Sequence, residues 1–261
     1  MPSDRVPNSI ALVVREGAEQ ASERVRAVAA AAGVQVVDSD GSPDLVVVLG
    51  GDGMMLQALA RYLGSGIPVL GVNYGRVGFL TAVAADDLEA GMRRAFAGEI
   101  RTIPLATIDV QVGETTKVAV NDVVVAGSTL GRLIELGYAV GGEELGSQPC
   151  DGLIGATPTG STAYNLSNGG PVLVWGLEAM VLTFIAPHAL VIRPLVVPRD
   201  TEVRIRNETV DVETTVLIDG HQIGNLATGE EAVIRVGEQH CLLATLPEVT
   251  FFRRYAATFG R

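Results

Sequence analysis

Lysine is nearly missing from this 261-residue chain: Lys117 stands alone, and all cations together number 19 against 30 carboxylates. The resulting formal net charge of −11 argues against a surface that holds nucleic acid by neutralising its phosphates. A phosphorylated ligand, if there is one, has to be held by backbone amides, a few arginines and a metal ion. Cysteine is just as scarce. Cys150 and Cys241 show no metal-type spacing and read as reduced thiols without functional signal. No apolar run reaches the roughly 18 residues that a bilayer demands, and the N-terminus lacks the charged and apolar succession of a signal peptide. The expectation is a cytoplasmic protein with neither membrane nor nucleic acid among its partners.

What the chain has instead is apolar residues, 48% of the total, and 31 glycines. That length and composition suit one large domain or two small ones with a sizeable core. The stretch that organises it is Val46-Val47-Val48-Leu49-Gly50-Gly51-Asp52-Gly53. It reads as a strand covered on both faces, as in a parallel sheet, running into a glycine turn with one carboxylate. Gly50, Gly51 and Gly53 remove the Cβ atoms that would keep a ligand from the backbone. From Met54 to Tyr62 strong helix formers follow, so free N–H groups at the helix start should face an anion there. The turn is neither a Walker A loop nor the dinucleotide fingerprint, and Asp52 either caps the helix or serves a phosphate-handling site.

Around it, strands at 9–14, 34–37, 45–49 and 67–73 alternate with helices at 18–32 and 86–97. That alternation predicts a mostly parallel sheet with ligands at the carboxyl ends of its strands, where Asp52 and Asn73 both lie. Beyond Ile100 the pattern changes to short β-rich runs at 102–112, 116–125, 133–140, 180–185, 202–206, 210–218, 232–236 and 241–246, as in a β-sandwich or layered sheet. The expected fold is therefore α/β plus all-β. A Rossmann-like α/β domain occupies residues 1–99, a sandwich-like β domain residues 100–248, and a helix over 249–261 packs back on the first through Phe252, Tyr255, Ala256 and Phe259.

Two polar stretches interrupt the β half. In Val118 to Val125 the adjacent Asn121 and Asp122 break an apolar strand, and burying such a pair is costly unless it meets a buried turn or a ligand. Asp151 to Ser167 is rich in hydroxyls and glycines that can donate to a ligand without adding charge, or can simply form a Ser/Thr turn before a helix starting at Ser161 or Thr162. Arg76 either reaches a phosphate or pairs with a carboxylate. His188 reads as a structural histidine, His240 as a surface one, and Trp175 as a packing or subunit-contact residue.

Gly50-Gly51-Asp52-Gly53, Asn121-Asp122, Asp151 to Ser167 with Gly169-Gly170-Pro171, and Arg193-Pro194-Leu195-Val196 occur in the order seen in the NAD kinases, which this chain resembles from about Leu45 to Asp219. The glycine turn is shared with diacylglycerol and sphingosine kinases and, more loosely, with phosphofructokinases; the long middle motif is the specific part. The resemblance implies an active site between an α/β and a β domain, and transfer of a phosphoryl group from ATP or polyphosphate to the adenosine 2′-hydroxyl of NAD. It implies that Asp52 is the catalytic base and, with Gly53, touches the dinucleotide, and that Gly50, Gly51, Gly53 and Arg76 face phosphate. The β domain then binds NAD: Asn121 and Asp122 contact adenosine, Asp151 the nicotinamide side, and Thr162, Ala163, Tyr164, Asn165, Leu166 and Ser167 wall the adenine and ribose. Ala186 lines the pocket through its small size. Magnesium or another divalent cation is expected on the donor's phosphates, with no metal ligand set assigned. A homo-oligomer, dimer or tetramer, is also implied.

Met54, Pro149 and His221 depart from the family pattern, at the donor phosphate, at the choice between NAD and NADH, and at a position where glutamine is common. Two other readings stand beside the first. One is a lipid or sugar kinase with the same glycine turn, which the Thr157 to Ser167 stretch disfavours. The other is a non-catalytic NAD-binding sensor, which Asp52 argues against and Met54 favours.

Overall fold

The computed structural model describes residues 6–75, 78–129, 132–189 and 191–260. The chain forms two compact units, one holding everything up to Pro104 together with Cys241 onward, the other Leu105–His240. In chain order the first unit supplies β1 (Ser9–Val14), α1 (Glu19–Ala31), β2 (Gln35–Val36), β3 (Leu45–Gly50), α2 (Asp52–Arg61), β4 (Val69–Asn73), β5 (Val83–Ala84), α3 (Leu88–Phe96) and β6 (Arg101–Leu105). The second supplies β7 (Ile108–Val112), β8 (Thr115–Ala119), β9 (Asp122–Gly127), β10 (Ile134–Val140), β11 (Glu143–Cys150), β12 (Gly152–Ala156), α4 (Tyr164–Ser167), β13 (Ala179–Ile185), β14 (Leu195–Pro198), β15 (Val203–Asn207), β16 (Thr214–Ile218), β17 (His221–Leu226) and β18 (Glu231–Val236). The chain returns to the first unit with β19 (Cys241–Thr245) and α5 (Phe251–Phe259).

The first unit is an α/β layer structure. Its sheet runs β2-β1-β3-β4-β19-β6, with β5 added beside β4. The pairs β1–β3, β3–β4 and β4–β19 are parallel. Every residue of β3 is buried, which is why it reads as an uninterrupted apolar run rather than an alternating one. Val25 and Val28 of α1 and Leu88 and Met92 of α3 pack with Val47, Leu49, Leu70 and Val72 of the sheet in one cluster. The Cys241–Thr245 strand, expected from its place in the sequence to belong to the β half, is in fact the strand between β4 and β6. Leu243 and Ala244 are fully buried there, as a strand with two covered faces requires.

The second unit is a sandwich of two antiparallel sheets, ordered β11-β10-β15-β18-β7-β8 and β14-β13-β12-β9-β16-β17. Ile108, Leu136, Ile205 and Ile234 from the first sheet and Val123, Val125, Leu153, Leu182 and Val216 from the second share one core. The alternate residues Val124, Ile154, Ala156 and Val181 form a smaller cluster with Leu173 on the other face of the second sheet. The polar segment after β12 therefore lies over an apolar sheet face, and it is held there by Leu173.

Two long expected strands are each broken in two. The run over 102–112 splits at Ala106 and Thr107, and the run over 116–125 splits at Val120 and Asn121, where the chain passes from the sheet of β8 to the sheet of β9. A β-rich composition continues through such a crossing, so the sequence pattern does not mark it. Strands β11, β12, β14 and β17 were not anticipated, because Glu, Gly and Pro in them mask the strand pattern. The strand expected from Val210 begins only at Thr214, with Val210 exposed.

Candidate functional site

In the first unit, β3 and β4 run parallel with Gly50 opposite Asn73 in register, so both lie at carboxyl ends of adjacent strands. The Asn73 Oδ1 accepts the Gly75 N–H at 2.8 Å, and the Tyr74 N–H donates to Gly50 O at 3.0 Å, which fixes the loop after β4 against the glycine turn. Helix α2 starts at Asp52, two residues before the expected Met54, with Gly51 as an extended N-cap at φ −103°, ψ −174° and, among the described residues, no side chain bonded to its first amides. Asp52 does not cap its own helix. Its Oδ2 accepts the Phe79 N–H at 2.8 Å and its Oδ1 the Leu80 N–H at 3.0 Å.

Three features thus meet at the turn. A half-buried carboxylate is oriented by two amides of another loop. Among the described residues, the amides that open a ten-residue helix have no side-chain partner, and they attract an anion through the helix dipole. Open space lies over Gly53, where an added Cβ would meet no atom within 4 Å. Each Asp52 oxygen keeps lone-pair capacity beyond its one amide, enough to take a proton from a hydroxyl. Met54 folds back over the strand end, filling the room that Gly50 leaves: a Cβ on Gly50 would stand 2.5 Å from its Sδ. Arg76 lies outside the described residues.

In the second unit, Asn121 and Asp122 sit where the chain enters β9. The Asp219 carboxylate binds this crossing from the β16–β17 hairpin, accepting the N–H groups of Val120 at 2.9 Å, Asn121 at 2.7 Å and Asp122 at 3.1 Å. Asp219 and Gly220 have φ of +48° and +82°, the paired left-handed conformation of a two-residue hairpin turn. The sequence pattern marks Asp219 only as the end of the resemblance; the Asp-Gly pair between two apolar runs is the signal that points to the turn. Asp122 is itself buried, and burial followed by the Asp219 charge pushes its carboxyl up to about 6. The Asn121 Oδ1 is buried and has no hydrogen-bond partner among the described residues.

The hydroxyl-rich stretch is clamped onto that crossing. The Thr157 N–H donates to Asn121 O at 2.8 Å and the Thr157 hydroxyl to Val120 O at 2.7 Å. Gly160 then passes so close that a Cβ on it would stand 2.9 Å from Asn121 Cα and closer still to the Asn121 carbonyl. Instead of the helix expected from Ser161 or Thr162, a short 3-10 turn over Gly160–Thr162 leads into the four-residue α4. Thr162, Ala163 and Leu166 are half-buried, while Tyr164 and Ser167 are exposed. Asn165 is different. It is fully buried and its amide is used up internally, donating to Ser161 O and Pro171 O and accepting from the Thr183 hydroxyl at 2.7 Å.

Asp151 and Ala186 are brought together elsewhere. Asp151 precedes β12 and its N–H donates to Ile185 O at 3.0 Å, next to Ala186, which has φ of +45°. Asp122 pairs with Ala156 at the far end of β12, so these two patches stand about 16 Å apart, five residues of strand. Pro149 lies beside the second patch, its carbonyl accepting the His188 N–H at 2.9 Å. His221 is exposed next to the first, with Nδ1 3.1 Å from Asp219 O. His240, expected as a surface residue, is half-buried, its Nε2 2.8 Å from Glu178 and 3.3 Å from Arg199 Nη2. Trp175 is buried. Burial also pushes the Cys150 thiol up to about 12, so it stays a neutral core residue.

Family models describe both parts of the chain: the ATP-NAD kinase N-terminal domain matches residues 36–100 and the ATP-NAD kinase C-terminal domain residues 120–246. Among curated relatives, the NAD kinase of Gemmatimonas aurantiaca is 41% identical over 224 residues, 83% of this chain and 77% of that protein. The NAD kinase of Nitratidesulfovibrio vulgaris is 36% identical over 271 aligned positions, 95% of each chain. Among solved structures, an NAD kinase from Archaeoglobus fulgidus in complex with ATP superposes with a TM-score of 0.77 at 27% identity, covering 97% of both chains. Yeast NADH kinase complexed with NADH shares the fold, with a TM-score of 0.83 at 20% identity over 97% of this chain and 87% of that one.

Proposed function

This chain belongs to the NAD kinase family, and we propose that it transfers a phosphoryl group from ATP or polyphosphate to the adenosine 2′-hydroxyl of NAD, giving NADP. The observation that carries this reading is the Asp52 carboxylate, which leaves its own helix uncapped and is held by the Phe79 and Leu80 amides beside the open glycine turn. A ribose hydroxyl is a poor nucleophile until its proton leaves, and a rigidly held carboxylate is the group to take it. Phosphoryl transfer otherwise needs alignment and charge stabilisation, which the free amides at the start of α2 supply without lysine. Gly51 and Gly53 serve the same phosphates by keeping the turn clear of side chains, whereas the room at Gly50 is taken by Met54.

The acceptor is recognised in the second unit. Asn121, with a buried Oδ1 orphaned among the described residues, and Asp122, a buried carboxylate able to accept, are matched to the hydroxyls and exocyclic amine of adenosine. Thr162, Ala163, Tyr164, Leu166 and Ser167 line that place, while Asn165 shapes it from beneath rather than touching ligand. Asp151 and Ala186 take the nicotinamide end of a bound dinucleotide. Among the described residues there is no group of three or more His, Cys, Asp or Glu placed to hold a metal. A hard divalent cation such as magnesium would arrive on the donor's phosphates, with the Asp52 carboxylate at the turn to share it, and would supply charge neutralisation. Among the described residues no helix is long and apolar enough to cross a membrane.

The test is a coupled assay for NADP with purified protein, magnesium and NAD, run once with ATP and once with polyphosphate. Product with either donor supports the kinase reading and identifies the donor. No product with either, alongside NAD binding by calorimetry, would contradict it.

A further inference from the structure

The last helix of the chain has no part in the chemistry outlined above, yet it bears directly on Asp52. Helix α5 is opened by Thr250, whose hydroxyl accepts the Arg253 N–H at 3.3 Å. Its next residue, Arg254, is half-buried and donates through Nη1 to the carbonyl of Gly78. Gly78 immediately precedes the two residues, Phe79 and Leu80, whose amides hold the Asp52 carboxylate. The Phe79 ring is gripped by the same helix, edge-on to Phe251 at 5.6 Å and tilted against Phe259 at 6.3 Å. Gly78 packs closely on its other side, since a Cβ on it would stand 2.7 Å from Asn73 Nδ2 and closer to the Thr81 hydroxyl. The connection is therefore continuous: guanidinium to carbonyl, one residue of backbone, two amides, carboxylate.

Charge points the same way. Burial pulls the Arg254 guanidinium below its usual range and the nearby negative charge of Asp52 pushes it back up, so the cation and the carboxylate feel each other. The Arg254 Nε is buried without a hydrogen-bond partner among the described residues. An arginine that merely solubilised a helix would turn all its donors to water. In a chain with one lysine, this one is turned inward instead.

We propose that Arg254 is a positioning residue for the reaction, latching the Gly78–Leu80 segment so that its amides hold the Asp52 carboxylate at the glycine turn. This rests on the kinase reading for its effect on rate but not for the latch itself. Arg254→Met keeps the apolar stem and removes the charge and its donors. Two readouts separate the two claims. Amide hydrogen exchange at Phe79 and Leu80, measured in the protein without substrate, should speed by roughly tenfold or more in Arg254→Met while global protection stays unchanged. The turnover number should fall between about ten- and a hundredfold with the KM for NAD within about threefold, because loss of alignment affects the transition state more than binding. Arg254→Lys should recover part of the turnover. In Arg254→Ala, millimolar guanidinium in the assay should do the same. Unchanged exchange at both amides would overturn the latch. Turnover and KM that worsen together with global protection would reduce Arg254 to a packing residue and overturn the proposal equally. A wild-type protein that makes no NADP would overturn the kinase reading alone, leaving the exchange comparison to decide the latch.

Discussion

At the scale of single residues, the second unit holds two carboxylates in opposite circumstances. Asp219 is heavily engaged, accepting three consecutive amides. Asp122 is buried beside it with its carboxyl pushed up to about 6. A carboxyl whose folded value lies above its unfolded one favours the folded state when protonated, so its contribution is complete below about pH 4 and is lost as pH rises through about 6. The folded protein carries that cost at neutral pH. Asp122→Asn should therefore raise stability by about 1–3 kcal/mol at pH 7 in urea titrations, with little gain at pH 4, while raising the KM for NAD. A variant that is no more stable at pH 7 would contradict the burial argument.

At the scale of elements, the hairpin of β16 and β17 is what makes the crossing at Asn121 possible. A chain passing between two sheets leaves several amides without ladder partners, and one anion from the hairpin turn satisfies three of them. Asp219→Ala should cost about 2–4 kcal/mol in chemical denaturation and weaken NAD binding at least tenfold, whereas Asp219→Asn, which keeps an acceptor and tolerates the positive φ, should cost less than about half as much. Equal losses in both variants would show that a neutral acceptor does not hold the crossing and would contradict this ranking. This is also where the sequence was least legible. The all-apolar β3, the glycine stop and the helix after it followed directly from residue pattern, since burial on both faces and helix propensity are local properties. The carboxylate of Asp52 was legible as a candidate, but its partners were not, because Phe79 and Leu80 lie 27 and 28 residues along the chain. Asn165 shows the opposite error: an amide in a ligand-rich stretch reads as a binding group, while its actual partners, Ser161, Pro171 and Thr183, are revealed only by folding.

At the scale of the molecule, the chain leaves its first unit for its second and comes back. Strand β19 inserts between β4 and β6, a pairing that joins residues more than a hundred apart and that no pattern in the sequence announces. A chain ending at His240 lacks that interior strand and should fail to fold its first unit, as judged by lost protection of the β3 and β4 amides in hydrogen exchange. Residues 105–240 are contiguous and own their core, so that fragment should show β-type circular dichroism and one cooperative urea transition. A native-like first unit in the shortened chain would contradict this account of the sheet. With a net charge of −11 over the whole molecule, phosphate handling falls, on the proposed reading, to glycines, helix amides and a cation rather than to a basic patch.

The most direct measurement is single-turnover phosphoryl transfer to NAD in wild type and Asp52→Asn, with NAD binding measured on the same samples by calorimetry. If Asp52 takes the proton from the ribose hydroxyl, transfer should fall by at least about a thousandfold while the dissociation constant for NAD stays within about tenfold. Transfer at near wild-type rate in the variant would remove Asp52 from that role and contradict the account.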